Sequence, residues 1–190
     1  RIVSAHRHDD QWTLLAANGQ GVVADTVVIA AGPWSNEVAH VFGARSVPYV
    51  ATRRTAFMSP SRTLTPDRSW PLVAALDGSF YLKPESDRYL CSPIDNDVMA
   101  PCDARADELA IARALDDIDR ATRLELRHVS AKWAGLRTMT RDGLPVVGPD
   151  SAVDGLVWLA GQGGFGIQTA PALARIAAAA TMSMDVPSDV

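Results

Sequence analysis

The apolar run Gly155–Ala160 (GLVWLA) ends in a glycine-rich turn and passes at once into an alanine- and leucine-rich stretch from about Gly166 to Met182. No other feature limits the fold as much. A continuous apolar run is typical of a strand covered on both faces, and glycines give the backbone freedom to turn directly into a helix. Gly161, Gly163 and Gly166 also spell G-x-G-x-x-G. A dinucleotide-binding fingerprint, however, needs a βαβ unit with an acidic residue about 20 positions on, at the end of a second strand. Only 24 residues follow Gly166, the helix takes most of them, and Asp185 sits in a tail (MSMDVPSDV) with no apolar strand. The spelling is there without its context. The turn still offers close backbone approach at Gly163, Gly164 and Gly166. The helix behind it directs unpaired N–H groups and about half a positive charge at whatever lies in front. That end suits an anionic oxygen.

A similar texture opens the chain. RIVSAHR, QWTLLAAN and QGVVADTVVIAAG read as strands separated by turn-forming HDDQ and NGQG. PWSNEVAHVFG follows as a short helix that Ser35 can cap and Gly43 can end. From Val47 the pattern changes to short β segments, VPYVATRRTAFMS, PLVAAL, SFYLKPE and RYLCSPI, broken by Asp, Gly, Ser and Pro, which suggests an antiparallel sheet. Residues 103–122 form the clearest helix, with Ile111, Leu115 and Ile118 on one face, acids early and arginines late. LELRHVSAKWAGLRTMT and LPVVG return to strand. An α/β start and an α/β end therefore bracket a β-rich insertion: residues 1–45 and 143–190 form one discontinuous domain and 46–142 a second.

Net charge −4 and a pI of about 5.5 leave no basic footprint for nucleic acid. Cys91 and Cys102 form no C-x-x-C pair, which points to reduced thiols and a cytoplasmic setting. No apolar run approaches the length of a membrane span. His6 and His8 share a strand face without a third ligand, so no metal site is expected. Arg53 and Arg54 face opposite sides of a strand, and no Ser-His-Asp arrangement is present.

Three stretches, ADTVVIAAGPWS (24–35), WAGLRTMTRDGLPVVGPD (133–150) and LAGQGGFGIQTAPALA (159–174), closely resemble the FAD-dependent D-amino acid oxidase and glycine oxidase family. That family also includes sarcosine oxidase and D-amino acid dehydrogenase. The similarity runs in order from about Val3 to Ala180. The resemblance implies an α/β (α+β) fold, in which a Rossmann-like FAD-binding domain is interrupted by a mainly antiparallel substrate domain with a flanking helix. Family members begin with a strand, glycine turn, helix and acidic residue that hold the ADP half of FAD. Nothing here matches those elements, so the chain is expected to be a C-terminal portion.

Carried over residue by residue, the resemblance implies that the backbone at Val3 contacts adenine and that Ala31, Gly32 and Trp34 form the turn under the nucleotide. Gln162, Gly163, Gly164, Phe165, Gly166, Ile167 and Gln168 match the loop against the isoalloxazine ring. Arg137 matches the arginine that holds the substrate carboxylate, for which a planar fork of donors is well suited. Tyr81 matches a substrate-side tyrosine of the glycine oxidase branch. Glycine oxidases carry a further arginine where Gly164 stands, so a more open pocket is expected here. No cysteine follows Cys102, so FAD is expected to be non-covalent, held by the complete protein and absent from this portion alone. The implied reaction is oxidation of an amino acid C–N bond by hydride transfer to flavin N5, with oxygen or a quinone accepting the electrons. The alternatives are a sarcosine- or dimethylglycine-type demethylating oxidase and a non-catalytic binding domain. Self-association through an exposed sheet edge is also expected.

Overall fold

The computed structural model describes all residues 1–190. It shows a mixed α/β chain of two compact units: Arg1–Ala51 with Arg137–Val190, and Thr52–Leu136.

In the first unit, β1 (Ile2–His8), β2 (Gln11–Ala16) and β3 (Gly21–Ala24) form an antiparallel meander. The apparent long strand at QGVVADTVVIAAG is in fact two. Asp25 makes the corner, where its carboxylate accepts from Gln11 (2.8 Å) and its carbonyl from Arg7 (3.4 Å). The chain then leaves the meander as β4 (Val27–Ile29). β4 lies parallel to β11 (Leu156–Ala160), which pairs antiparallel with β10 (Val146–Pro149). Trp12, Leu14, Ile29, Phe42, Leu156 and Trp158 build the core, with Trp12 and Phe42 edge-to-face at 5.0 Å. The Trp12 indole N–H donates to the Gly155 carbonyl at 3.0 Å, which ties the meander to the β11 approach.

A 3-10 turn (Gly32–Trp34) leads into α1 (Ser35–Val41). Ser35 does not cap it: the residue is already helical, and its buried hydroxyl has no partner. Gly43, at φ +73°, ends the segment as expected. α3 spans Gly166–Thr181 and buries Leu173, Ala177 and Ala179.

In the second unit, β6 (Val73–Ala74), β7 (Tyr81–Glu85), β8 (Arg88–Ser92), β5 (Tyr49–Ser59) and β9 (Ala131–Thr140) form one sheet in that order. β5 and β9 are also the strands within which the chain changes unit. α2 (Glu108–Ala121) is shorter than the acid-to-arginine pattern predicts, because Asp107 accepts the Ala110 N–H and fixes the start there. Ile111, Ala114 and Ile118 face the sheet and pack with Phe57, Leu82, Tyr89 and Cys91. Burial among them pushes the Cys91 thiol up to about 12. Residues 124–130 are not the strand their sequence predicts. Glu125 takes φ +48°, and the carbonyls of Arg123 and Leu124 accept from the Thr63 and Ser61 hydroxyls instead of a neighbouring strand.

Candidate active site

β4 and β11 are parallel neighbours, and each runs out at its C-terminal end into a turn: Ala31–Trp34 after β4, Gly161–Phe165 after β11. The carboxyl ends of adjacent parallel strands are where α/β sheets bind ligands.

The second turn is fastened to β9. The Gly163 N–H donates to the Thr138 carbonyl at 2.9 Å, and Met139 and Gln162 form an antiparallel bridge. Gly163 has φ +58°, and a Cβ there would lie 3.2 Å from Met139 Sδ, so a side chain would be strained in backbone and in space. Arg137, one residue before this anchor, is half-buried. Its Nη1 lies 3.4 Å from where a Cβ on Gly164 would stand, so the guanidinium rests on bare backbone. It makes no hydrogen bond or ion pair within the chain. A sheltered but unpaired guanidinium is costly and well placed for an external anion.

No side chain caps α3, and its first intrahelical bond is Thr169 N–H to the Phe165 carbonyl. The amides of Gly166, Ile167 and Gln168 are therefore left open at the same turn. Gln162 and Gly163 are tucked against β9, while Gly164, Phe165 and Gln168 are exposed and Ile167 is 96% exposed. Pro171 has no N–H, so the Ile167 carbonyl also lacks its helical partner. Residues 182–190, which follow α3, form no strand.

The first turn is buttressed by a residue the sequence did not mark. The Tyr49 hydroxyl donates to the Pro33 carbonyl at 2.9 Å and accepts from the Asn36 N–H at 3.1 Å. Asn36 in turn exchanges side-chain bonds with the Val47 backbone at 2.9 and 2.8 Å. Burial holds the Tyr49 phenol above its ordinary range, so it stays a proton donor. Gly32 takes φ +55° here, and Trp34 is exposed. Val3 falls where the β1–β2 register shifts between Ile2 and Ser4, so it has no cross-strand partner. Its neighbour Ile2 and Trp34 line one cavity of about 370 Å³ with Arg1 and Glu37. The structure thus brings β1 and Trp34 to one cavity, with Ile2 rather than Val3 in its wall. Tyr49, Asn36, Thr138 and Met139 were missed because they act through pairings that no local motif records.

Tyr81 belongs to the second unit. It lies on β7, half-buried and without a hydrogen bond, and strand alternation sets it on the face opposite Leu82 and the core.

The sequence pattern of FAD dependent oxidoreductases matches residues 1–180. Among solved structures, glycine oxidase from Geobacillus kaustophilus superposes with TM-score 0.76 at 22% identity over 97% of this chain and 48% of its own. Iminodiacetate oxidase from Chelativorans sp. BNC1 gives 0.79 at 19% identity, covering 96% and 49%. L-amino acid deaminase from Proteus vulgaris gives 0.80 at 14% identity, covering 96% and 54%. The chain spans about half the length of these proteins, and at such identities the likeness is one of fold. Together with a family match over nearly the whole sequence, it settles the relationship: the chain belongs to the FAD dependent oxidoreductase family of D-amino acid oxidase type.

Proposed function

We propose that the protein oxidises the C–N bond of an amino acid or a closely related amine, with Arg137 holding the substrate carboxylate. The observation that carries this reading is the half-buried, unpaired Arg137 guanidinium lying against Gly164 in a turn fastened to the next residues of β9. The solved relatives are named for glycine, iminodiacetate and L-amino acids, all carboxylates bearing an amine nearby. A guanidinium fork suits what those substrates share.

Bare glycine backbone, positive φ at Gly163 and an uncapped helix start form a cradle that fits the edge of a flat ring carrying an anionic oxygen. The residues that would hold FAD are Val3, Ala31, Gly32 and Trp34 on one side, and Gln162–Gln168 on the other. Bound there, FAD would supply the two-electron acceptor, with oxygen or a quinone as the final electron acceptor. Arg137 orients the carboxylate so that Cα presents its hydrogen toward the turn, and the open amides of α3 favour negative charge there. Tyr81, on β7, is assigned a substrate-side role by resemblance to the glycine oxidase branch. A substrate reacting as the neutral amine needs no strong base, and none of the chain's histidines lies at the turn.

FAD-loaded protein expressed from its complete reading frame should oxidise members of an amino acid panel, and Arg137→Lys should raise KM about tenfold or more by replacing a bidentate fork with a point charge. An unchanged KM for every carboxylate substrate would remove Arg137 from this role. A preference for N-methylated substrates in the same panel would instead place the enzyme with demethylating oxidases.

A further inference from the structure

The turn at 31–34 has little of its own to hold its shape. Gly32 takes φ +55°, a region that glycine enters at little cost and leaves as readily. Pro33 brings no N–H, Trp34 does not cap α1, and the buried Ser35 hydroxyl has no partner. What the turn lacks is supplied from β5. The Tyr49 hydroxyl accepts the Asn36 N–H at 3.1 Å and donates to the Pro33 carbonyl at 2.9 Å, with the Gly32 carbonyl at 3.5 Å. We propose that Tyr49 is a positioning residue for the cofactor: its hydroxyl sets the shape in which the 31–34 turn meets the nucleotide end of FAD. That role rests on the proposed assignment of Ala31, Gly32 and Trp34 to FAD.

The hydroxyl is itself held in place. Pro48 fixes the backbone just before Tyr49. The Val47 carbonyl accepts both the Tyr49 N–H and the Asn36 side-chain amide at 2.9 Å, and Asn36 Oδ1 accepts the Val47 N–H at 2.8 Å. One turn further along α1, the His40 and Ser46 side chains meet at 2.9 Å. The connection from α1 to β5 is thus folded back on the helix, and the phenol stays at the turn. Tyr49 is half-buried, and phenylalanine would fill the same space. Only the hydroxyl reaches the two backbone groups.

What the hydroxyl places is a wall. Trp34 is 41% exposed, and with Glu37, Val38 and Val41 of α1 it lines the cavity of about 370 Å³ beside Arg1 and Ile2. Without the hydroxyl, the Pro33 carbonyl and the Asn36 N–H would turn to water, and Gly32 would let the turn relax. A ligand would then have to impose the shape on binding, and that ordering is subtracted from its affinity.

The test is FAD binding by apoprotein made from the complete reading frame, followed by quenching of flavin fluorescence, with the melting temperature measured with and without FAD. Tyr49→Phe should weaken FAD binding about tenfold and shrink the rise in melting temperature that FAD produces. At saturating FAD its kcat and its KM for the amino acid should match the parent, because Arg137 and the 162–168 loop stand at the other turn. A buttress with no part in cofactor binding would lower the melting temperature equally with and without FAD and leave the dissociation constant unchanged; that result would overturn the proposal. Trp34→Ala, at an exposed side chain, separates the proposal from the assignment beneath it. If it weakens FAD binding while Tyr49→Phe does not, Tyr49 alone loses its role. If neither variant moves the dissociation constant, the 31–34 turn is no FAD contact and both fall.

Discussion

Arg53 and Arg137 are both largely sheltered arginines on strands, and their surroundings give them opposite tasks. Arg53 is pinned by Asp95 at 3.0 Å, Asp97 at 2.7 Å and Asp107 at 2.6 Å. Asp95, only 6% exposed, also accepts the Thr55 N–H and hydroxyl. Arg53→Met would strand that carboxylate and should cost about 3 kcal/mol, seen as a lower urea midpoint. Arg137→Met removes no internal partner and should change stability by less than about 0.5 kcal/mol. Equal losses in the two variants would contradict the division between a structural and a ligand-binding arginine. The sequence shows WAGLR as a sheltered context and Arg53-Arg54 as opposed faces. It cannot show which arginine is neutralised, because the carboxylates that hold Arg53 lie 42, 44 and 54 residues away.

The element with the clearest signature, α2, was legible in its amphipathic face and charge order, yet its start was set by one side chain. Asp107 accepts the Ala110 N–H at 2.9 Å and the Arg53 guanidinium at 2.6 Å. Its carboxyl is held below the usual carboxylate range, chiefly by the Ala110 backbone N–H, with the Arg53 charge adding to it. A depressed folded-state value means stability that is present above the unfolded value of about 3.9 and is lost as pH falls through the folded one. Asp107→Asn keeps a capping oxygen but not the charge. The variant should melt below the parent near neutrality, and the gap should close below about pH 4. A constant gap across that range would show that the charge contributes nothing. Elsewhere element boundaries failed wherever side chains competed with the ladder. Asp25 splits one apolar run into β3 and β4, and Ser61 and Thr63 hold 123–124 out of the sheet.

At the scale of the molecule, the α/β start and end and the β-rich middle were readable from composition and periodicity, while the pairing that unites start and end was not. β4 and β11 find each other through register, and the two turns at their carboxyl ends become one region only in three dimensions. On the proposed assignment the chain offers FAD the turn at 31–34, Val3 and the loop at 162–168, but no strand after α3 to complete a phosphate-binding βαβ unit. The 190-residue chain, incubated with excess FAD and desalted, should keep no stoichiometric flavin absorbance; a retained band would show that those residues suffice. The same pairing also sets an order of events. Trp12 reaches the Gly155 carbonyl across 143 residues, whereas the second unit, Thr52–Leu136, is contiguous. During synthesis β1–β4 must therefore wait for β11 until everything between them is made, and closing so long a loop is slow. Pulse-labelled hydrogen exchange during refolding should find the amides of Phe57 and Tyr89 protected before those of Ile29 and Trp158. The opening segment is thus where chaperone capture and premature aggregation should concentrate.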